Sequence, residues 1–356
     1  MIALFKKFGR ALFHPGHALQ RCSAALRQVA SRRRIRSLTR IMGQNRNVVR
    51  TSPISNSNIS DHIGVIISYK IAEPLRVLIL TETLQILKRA LRGSAVPIRV
   101  IDASDPPYAS QSEPLFAQLD LPVFYETAPL RLCEAYLKML RATRQRYTYV
   151  QLDDAVTLGL RPEFLHAACT LLDKYDGLLN VVSIELPVGV EIVATERAVN
   201  VVMFRQRNSG DKADYSFGVG PPLRLLWKER IGDYEFGVFE NRFYGFYFHN
   251  LVVPTRDYAS RLEWYMEHIS QTSVHAIELA AADRTVGPYW THLAICLSRV
   301  CMVDLDFAPT PGAVRPPNDC NRVVMEALRA GYEPRIRCET VDATGSAVTQ
   351  AQTLGE

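Results

Sequence analysis

The segment Tyr147-Thr-Tyr-Val-Gln-Leu-Asp-Asp-Ala-Val156 joins a run of β-prone residues to two adjacent carboxylates. Residues 147–152 predict a buried strand, which does not suit a carboxylate, so the strand is expected to end at Asp153. At the carboxyl end of a strand in an open α/β sheet, an acidic pair can hold a divalent cation against a phosphate. The pair Asp153 and Asp154 can equally begin a turn or cap the next helix, and one acidic pair does not separate the two interpretations.

The residues around this segment alternate between strand-like and helix-like patterns. Apolar runs of strand length occupy residues 64–69, 97–102 and 121–125, and apolar residues recur at helical spacing in 74–92, 129–146 and 162–175. This alternation predicts an α/β fold with a mainly parallel sheet flanked by helices. Asp102 ends the second run and Asp105 follows it, so acidic residues recur where strands end. We expect them to share a crevice with Asp153, although acids also simply favour turns.

The pattern changes after residue 177 and predicts a mixed α+β C-terminal half. Residues 178–185 and 190–205 are strand-like, and the aromatic alternation of residues 233–247 fits a buried sheet. Helices are predicted near 257–269, 273–284, 290–300 and 322–329. The chain therefore divides into a basic arm and linker (1–60), an α/β half (61–185), a mixed half (186–340) and a flexible tail (341–356).

Charge is distributed unevenly along the 356 residues. Residues 1–60 hold twelve Lys or Arg and no acid, whereas residues 61–356 hold the other 30 basic residues and all 36 acids. Residues 2–13 predict an amphipathic helix, and with the basic cluster 32–36 they favour an anionic membrane surface. A transit peptide, a nucleic-acid contact and a disordered tail remain alternatives for this arm.

Cysteine usage and hydropathy narrow the class of protein. The seven cysteines are odd in number and scattered, and they contain no C-x-x-C pair, which argues against a disulfide framework or a zinc knuckle. This usage is typical of a reducing compartment. No apolar run approaches the roughly 18 residues that a membrane-spanning helix needs. We therefore expect a cytoplasmic protein that lies on the inner face of the membrane through its arm.

Three short motifs carry a resemblance to a known family. Val65-Ile-Ile-Ser-Tyr-Lys70, Ile98-Arg-Val-Ile-Asp-Ala-Ser104 and Tyr149-Val-Gln-Leu-Asp-Asp154 occur in the order and spacing of the nucleotide-binding half of GT-A fold glycosyltransferases, and they resemble the family-2-like group most. The resemblance covers residues 62–185, about a third of the chain. It implies that residues 61–185 bind a nucleotide-sugar and that residues 186–340 face the acceptor.

The resemblance also implies a role for individual residues. Nucleotide contacts would come from Ser68, Tyr69, Asp102 and Asp105, and contacts with Mg²⁺ or Mn²⁺ from Asp153, Asp154 and His249. The sequence departs from the family pattern at Ala155, where a third carboxylate often stands. Adjacent side chains on a regular strand point to opposite faces, so Asp153 and Asp154 need a local turn to act together. His249 follows an aromatic run and is also explained as a packed or hydrogen-bonded residue.

A carboxylate base would deprotonate the acceptor hydroxyl if the reaction inverts the anomeric centre. The position of the base in the family points to the region after residues 206–222, where Asp233, Glu235 and Glu240 are the candidates. Glu240 is preferred because its neighbours predict a well-structured strand. Each of the three is also explained as a surface carboxylate beside aromatic residues.

These observations predict a glycosyltransferase that moves a sugar from a nucleotide-sugar donor to a glycan or lipid-linked acceptor in cell-envelope polysaccharide or glycolipid synthesis. Ala155 keeps open a catalytically degenerate binding protein of the same fold. A nucleotidyltransferase is the third possibility, although residues 68–74 lack the glycines of its phosphate loop. No specific nucleic-acid partner is expected.

Overall fold

The computed structural model describes residues 59–71, 74–104, 108–184, 189–194, 198–208, 214–215, 223–241, 249–269, 274–282, 287–304 and 333–341. The basic arm up to residue 58, Asp105, the predicted helix at 322–329 and the tail beyond residue 341 lie outside these residues. The predictions made for them stay predictions.

The described helices and strands follow the predicted alternation through the first half of the chain. The helices are α1 (Ile59–His62), α2 (Pro74–Leu91), α3 (Ala109–Ala117), α4 (Leu132–Ala142), α5 (Pro162–Lys174), α6 (Thr255–His268) and α7 (Val274–Ala282). The strands are β1 (Ile63–Tyr69), β2 (Ile98–Asp102), β3 (Val123–Thr127), β4 (Tyr147–Gln151), β5 (Ala155–Leu158), β6 (Val182–Ser183), β7 (Gly189–Ala194), β8 (Ala198–Asn208), β9 (Asp214–Tyr215), β10 (Leu223–Ile231), β11 (Tyr234–Glu240), β12 (Leu251–Pro254), β13 (His292–Cys296), β14 (Cys301–Asp304) and β15 (Glu333–Val341). None of these helices is both long enough and apolar enough to cross a membrane.

The first four strands form a parallel sheet in the order β4-β1-β2-β3. All seven residues of β1 are buried, which is typical of a parallel strand covered by helices on both faces. The register pairs Tyr69 with Asp102 and Asp102 with Thr127, so these strands end along one edge. The α/β class and the parallel sheet predicted for this half are confirmed.

The sheet continues beyond β4 as a mixed, mainly antiparallel extension. Its order is β12, β6, β13, β11, β10, β9, β8 and β15, with β7 paired to β8. The helix predicted at 290–300 is wrong, because β13 occupies this segment and pairs with both β6 and β11. All five residues of β13 are buried. Periodicity does not distinguish a strand from a buried helix in an apolar run this short. A separate two-stranded antiparallel sheet pairs β5 with β14 and sets Asp304 opposite Ala155.

Two layers of helices cover the sheet and enclose a core on each face. Residues of α2, α3 and α5 pack with Tyr69 and Tyr149 in one cluster, and residues of α4, α6 and α7 pack with Ile66 and Val150 in the other. Consecutive strand residues thus contribute to opposite cores, as the pleat requires. The flanking helices predicted from the sequence occupy both faces, and they position the strand ends between the two layers.

Leu84 and Leu78 provide a matched test of this packing, because both lie on α2 but only Leu84 is buried, with 2% of its surface exposed against 49% for Leu78. Leu84→Ala should lower the free energy of unfolding by about 2–5 kcal/mol, because a cavity replaces a core side chain. Leu78→Ala should change it by about 0.5 kcal/mol or less. Urea unfolding followed by circular dichroism measures both, and equal losses would contradict the assigned face of α2.

Candidate functional site

The acidic pair lies in a tight turn between β4 and β5. β4 ends at Gln151 and β5 begins at Ala155, so Asp153 and Asp154 belong to neither strand. This break supplies the local turn that the adjacent carboxylates need. Asp154 Oδ2 lies 2.8 Å from Arg76 Nη1 in an ion pair whose side chains are each about a quarter exposed. The side chain of Ala155 is buried, so the third position of the motif presents no side chain to solvent.

A network of buried side-chain amides and hydroxyls makes hydrogen bonds to the backbone of the turn. The Asn250 side chain accepts a hydrogen bond from the Leu152 amide at 2.9 Å, and it donates to the Ala155 carbonyl at 3.3 Å and to the Thr157 hydroxyl at 2.9 Å. The Gln151 side chain donates to the carbonyls of Leu152 and Ala155 at 2.6 and 2.5 Å. Because buried peptide groups need partners, these two amides determine the path of the turn.

Tyr149 extends the same network. Its hydroxyl donates to Gln151 Oε1 at 2.9 Å and lies 2.7 Å from the Thr157 hydroxyl. Burial raises the pKa of Tyr149, so the ring stays neutral and its hydroxyl keeps a proton to donate. On the other face of the sheet, burial raises the pKa of Tyr136, and the negative charges of Asp153 and Asp154 raise it further.

Asp102 lies at the end of β2 but is completely buried. Its Oδ1 accepts a hydrogen bond from the Ser104 amide at 2.8 Å, and its Oδ2 accepts one from the Tyr125 hydroxyl at 2.5 Å. Burial and then this bond to Asp102 raise the pKa of Tyr125. The structure thus places Asp102 at the predicted edge, where its carboxylate ties β2 to β3 from the inside. A direct contact with a nucleoside stays a prediction.

Ser68 and Tyr69 are both 2% exposed. The Tyr69 ring stacks on Phe116 at 5.8 Å between centroids, and its hydroxyl lies 3.3 Å from that of Tyr125. The Ser68 hydroxyl is buried and has no hydrogen-bond partner among the described residues. A ligand or an ordered water is what usually satisfies such a group. Lys70, the next residue, is exposed at the same edge.

The register of the sheet separates Glu240 from the acidic pair. Val150, Leu251, Ser183, Ile295 and Gly237 form one row across β4, β12, β6, β13 and β11. Asp153 lies three residues beyond this row towards one edge, and Glu240 lies three residues beyond it towards the other. Six residues correspond to about 20 Å along the strands. The preference for Glu240 as the base is not supported by this placement.

Asp233 and Glu235 lie at the same edge of the sheet as the acidic pair, but on another strand. Glu235 is on β11, and Asp233 comes just before it. Four strand spacings separate β11 from β4, or about 19 Å across the sheet. Asp233 is largely exposed and pairs with Arg299 at 3.1 Å, and Glu235 pairs with Lys228 at 2.7 Å. The structure therefore does not bring either carboxylate into contact with the acidic turn.

His249 comes directly before Asn250, so it lies at the level of the acidic turn. Within the described part of the chain, no group of three or more His, Cys, Asp or Glu side chains is placed to hold a metal ion. Mg²⁺ commonly takes one or two carboxylates from the protein and its other ligands from substrate phosphates and water. Asp153 and Asp154 meet that requirement, so the donor set fits a cation that arrives with a phosphate.

Asn250, Gln151, Thr157 and Arg76 were missed by the sequence reasoning. Gln151 gave a usable signal, since an amide in an otherwise apolar strand is expected to bond to nearby backbone. Arg76 also gave one, because it occupies the first turn of the helix that follows β1. Asn250 lies 97 residues after Asp153, and no local pattern links the two.

Comparison with known proteins gives similarity at the level of structure alone. No family model matches the chain, and no curated protein matches it. Solved structures similar to it include TarS from S. aureus in complex with UDP-GlcNAc, at 10% identity and a TM-score of 0.37, covering 66% of this chain and 55% of that chain. GalNAc-T7 with UDP, GalNAc and Mn²⁺ is similar at 10% identity and a TM-score of 0.41, covering 74% and 48%.

A synthase is also among the similar structures. It is 4-diphosphocytidyl-2C-methyl-D-erythritol synthase from Anaerococcus prevotii, at 10% identity and a TM-score of 0.37, covering 78% of this chain and 100% of that chain. The chain spans about half the length of the two glycosyltransferase chains above. With TM-scores below 0.5, these likenesses do not decide the activity.

Asn250 and Asn241 are a matched pair for testing the network. Both are buried, but the side-chain amide of Asn241 donates to the Trp290 carbonyl, away from the turn. Each Asn→Ala change should cost about 1–3 kcal/mol for every buried group left without a partner. Only Asn250→Ala should also speed hydrogen exchange of the Leu152 amide, measured by NMR. Unchanged exchange at Leu152 in Asn250→Ala would contradict the network.

Proposed function

We propose that this chain is a glycosyltransferase that binds a nucleotide-sugar at the carboxyl edge of β4-β1-β2-β3 and transfers its sugar to an acceptor hydroxyl. The observation that carries this proposal is the acidic turn after β4. Its backbone is held by the buried side chains of Asn250 and Gln151, its two aspartates are partly exposed, and Asp154 pairs with the cationic side chain of Arg76. Carboxylates and a cation at the ends of parallel strands suit a diphosphate with its metal ion.

The cofactor proposed for this site is Mg²⁺ or Mn²⁺. Asp153 would hold the cation, together with oxygens of the bound diphosphate. When bound, the cation neutralises the diphosphate as it leaves the sugar. The protein residues do the rest, since Asn250 and Gln151 keep the turn in one conformation and Asp102 keeps the neighbouring strand ends together. No described carboxylate is assigned as the base.

A nucleotidyltransferase is the second candidate, and one feature of the structure favours it. Lys70 follows β1 directly and Arg76 lies in the first turn of α2, the region where such an enzyme needs basic side chains for a triphosphate. The absence of glycine from residues 68–74 still argues against a phosphate loop. A binding protein without catalysis is the third candidate, because Ala155 removes a carboxylate from the turn.

The acceptor and the location are part of the proposal. We place the chain on the cytoplasmic face of a membrane, with a glycan or lipid-linked acceptor in envelope polysaccharide or glycolipid synthesis. The support is the arm, whose twelve basic residues and amphipathic start precede a body in which acids outnumber bases. Basic residues of this kind are attracted to anionic lipids.

A thermal-shift screen of UDP-, GDP- and CDP-sugars against the nucleoside triphosphates, with and without Mn²⁺, tests the site. At least one nucleotide-sugar should raise the melting temperature more with Mn²⁺ than without it, because a ligand that binds only the folded state stabilises it. Asp153→Asn should remove the Mn²⁺-dependent part. Asp176→Asn is the control. Its side chain is 78% exposed, and its partner Arg146 lies just before the first residue of β4, at the end of the strand away from the acidic turn.

Two outcomes of the screen would change the conclusion. A shift only with triphosphates would favour the nucleotidyltransferase over the glycosyltransferase. No shift with any nucleotide, for a protein whose unfolding is cooperative, would remove both enzymes from consideration.

Vesicle co-sedimentation tests the arm. Each basic residue near an anionic surface contributes about 1 kcal/mol to the free energy of binding, and the aromatic residues add to it by inserting into the membrane interface. The full chain should sediment with anionic vesicles and not with neutral ones, and salt or removal of residues 1–50 should release it. Changing Phe5, Phe8 and Phe13 to Ser should weaken binding at constant charge. Equal retention on both vesicle types would exclude an electrostatic membrane arm.

A further inference from the structure

Helix α2 is attached to the acidic turn at two points. Arg76 Nη1 lies 2.8 Å from Asp154 Oδ2, and the Thr83 hydroxyl donates to the Asp153 carbonyl at 2.9 Å. Arg76 and Thr83 are seven residues apart, close to two helical turns, so they share one face of the helix. This face of α2 therefore lies directly against the turn.

The attachment treats the two aspartates differently. Thr83 bonds to the main-chain carbonyl of Asp153, whereas Arg76 bonds to the carboxylate of Asp154 itself. Asn250 fixes the backbone from the β12 side, through the Leu152 amide and the Ala155 carbonyl. With the turn held from two sides, the Asp154 carboxylate stays directed at α2. A cation that used Asp154 would first have to displace a guanidinium.

Arg76 itself is well placed to meet an anion. It is the third residue of α2, and the N-terminal end of a helix carries partial positive charge. α2 begins five residues after β1 ends, and β1 is the immediate neighbour of β4. A guanidinium presents five N–H donors in a planar fork, so it can bind a carboxylate on one side and a phosphate oxygen on another. Its side chain is 28% exposed, so a ligand in solution can reach it.

The charge of the site also calls for a cationic side chain. A nucleoside diphosphate is an anion. Asp153 and Asp154 would repel it when it lies close enough for one metal ion to bridge a carboxylate and the diphosphate. One divalent cation offsets part of this charge, and a guanidinium beside Asp154 offsets more.

We infer that Asp153 and Asp154 have separate functions: Asp154 positions Arg76 to bind the diphosphate of the donor, and Asp153 alone holds the metal ion. This inference rests on the proposed function and adds one phosphate-binding residue, Arg76, and one positioning residue, Asp154. It departs from the expectation that both aspartates bind the metal.

Isothermal titration calorimetry with UDP and with uridine, in Mg²⁺ and in EDTA, tests the inference. Arg76→Gln should weaken UDP binding about tenfold to hundredfold in both buffers, the range expected for a charge-assisted hydrogen bond. Its affinity for uridine should stay the same, because uridine has no phosphate. Arg76→Lys should recover part of the loss, since it keeps the charge without the fork.

The functions of the two aspartates are distinguished by one quantity, the ratio of the UDP affinity in Mg²⁺ to the UDP affinity in EDTA. Asp154→Asn should weaken UDP binding in both buffers and leave this ratio near that of the wild type. Asp153→Asn should bring the ratio close to one. In the Arg76→Gln background, Asp154→Asn should have little further effect, because the two residues act as one unit.

Arg261→Gln is the matched control. Arg261 forms an ion pair with Asp257 at 2.7 Å on α6, which packs on the opposite face of the sheet from α2. Its loss should lower the melting temperature at most and leave UDP affinity unchanged. If Arg76→Gln proves too unstable to titrate, Arg76→Lys and Asp154→Asn carry the same comparison.

The outcomes separate this inference from the proposed function. If the wild type binds neither UDP, GDP, CDP nor ADP, the proposed function fails and the inference falls with it. If the wild type binds UDP but Arg76→Gln binds it equally well, Arg76 is a structural residue and only the inference fails. If Asp154→Asn loses the Mg²⁺ dependence, Asp154 is a metal ligand and the separation of functions is wrong.

Discussion

The turn after β4 has to display two adjacent carboxylates and still satisfy its own buried peptide groups. Two carboxamide side chains supply the partners. Gln151 donates hydrogen bonds to the carbonyls of Leu152 and Ala155, and Asn250 accepts one from the Leu152 amide. A peptide group left without a partner here would cost about 1–3 kcal/mol, so alternative turns are disfavoured. The rest of the candidate site depends on this constraint. Arg76 can pair with Asp154 only because the turn directs that carboxylate to α2.

A second buried network keeps the neighbouring strand ends in place. Asp102 joins the Ser104 amide to the Tyr125 hydroxyl, and Tyr69 stacks on Phe116 with its hydroxyl 3.3 Å from that of Tyr125. The two networks have the same design, in which a polar side chain at a strand end is satisfied by its neighbours and does not face solvent. The groups left exposed at this edge, among them Lys70 and the partly exposed acidic pair, are the ones that suit an anionic ligand.

The local patterns of the sequence predicted most of the α/β half, but not α1, α3 or β5. Apolar periodicity located β1, β2, β4, α2 and α5 within a few residues, because each is a strong, uninterrupted pattern. It failed at β13, where five buried residues are too few to show a period. The edge with its acidic pair was predictable, since parallel strands end together. Asn250 was not, because its contact with the turn spans 98 residues, and the distance of Glu240 from the pair follows from a sheet register that no local pattern contains.

Hydrogen–deuterium exchange of the full chain with and without UDP and Mg²⁺ tests most directly whether the acidic turn marks the ligand site. We expect slower exchange at the end of β1, the first turn of α2 and residues 151–157. An open cavity of about 510 Å³, lined by residues that include Gly93, Phe116 and Val123, lies at the opposite edge and offers the contrasting site. Exchange there should not change. Protection confined to that cavity, with none at residues 151–157, would contradict a ligand site at the acidic turn.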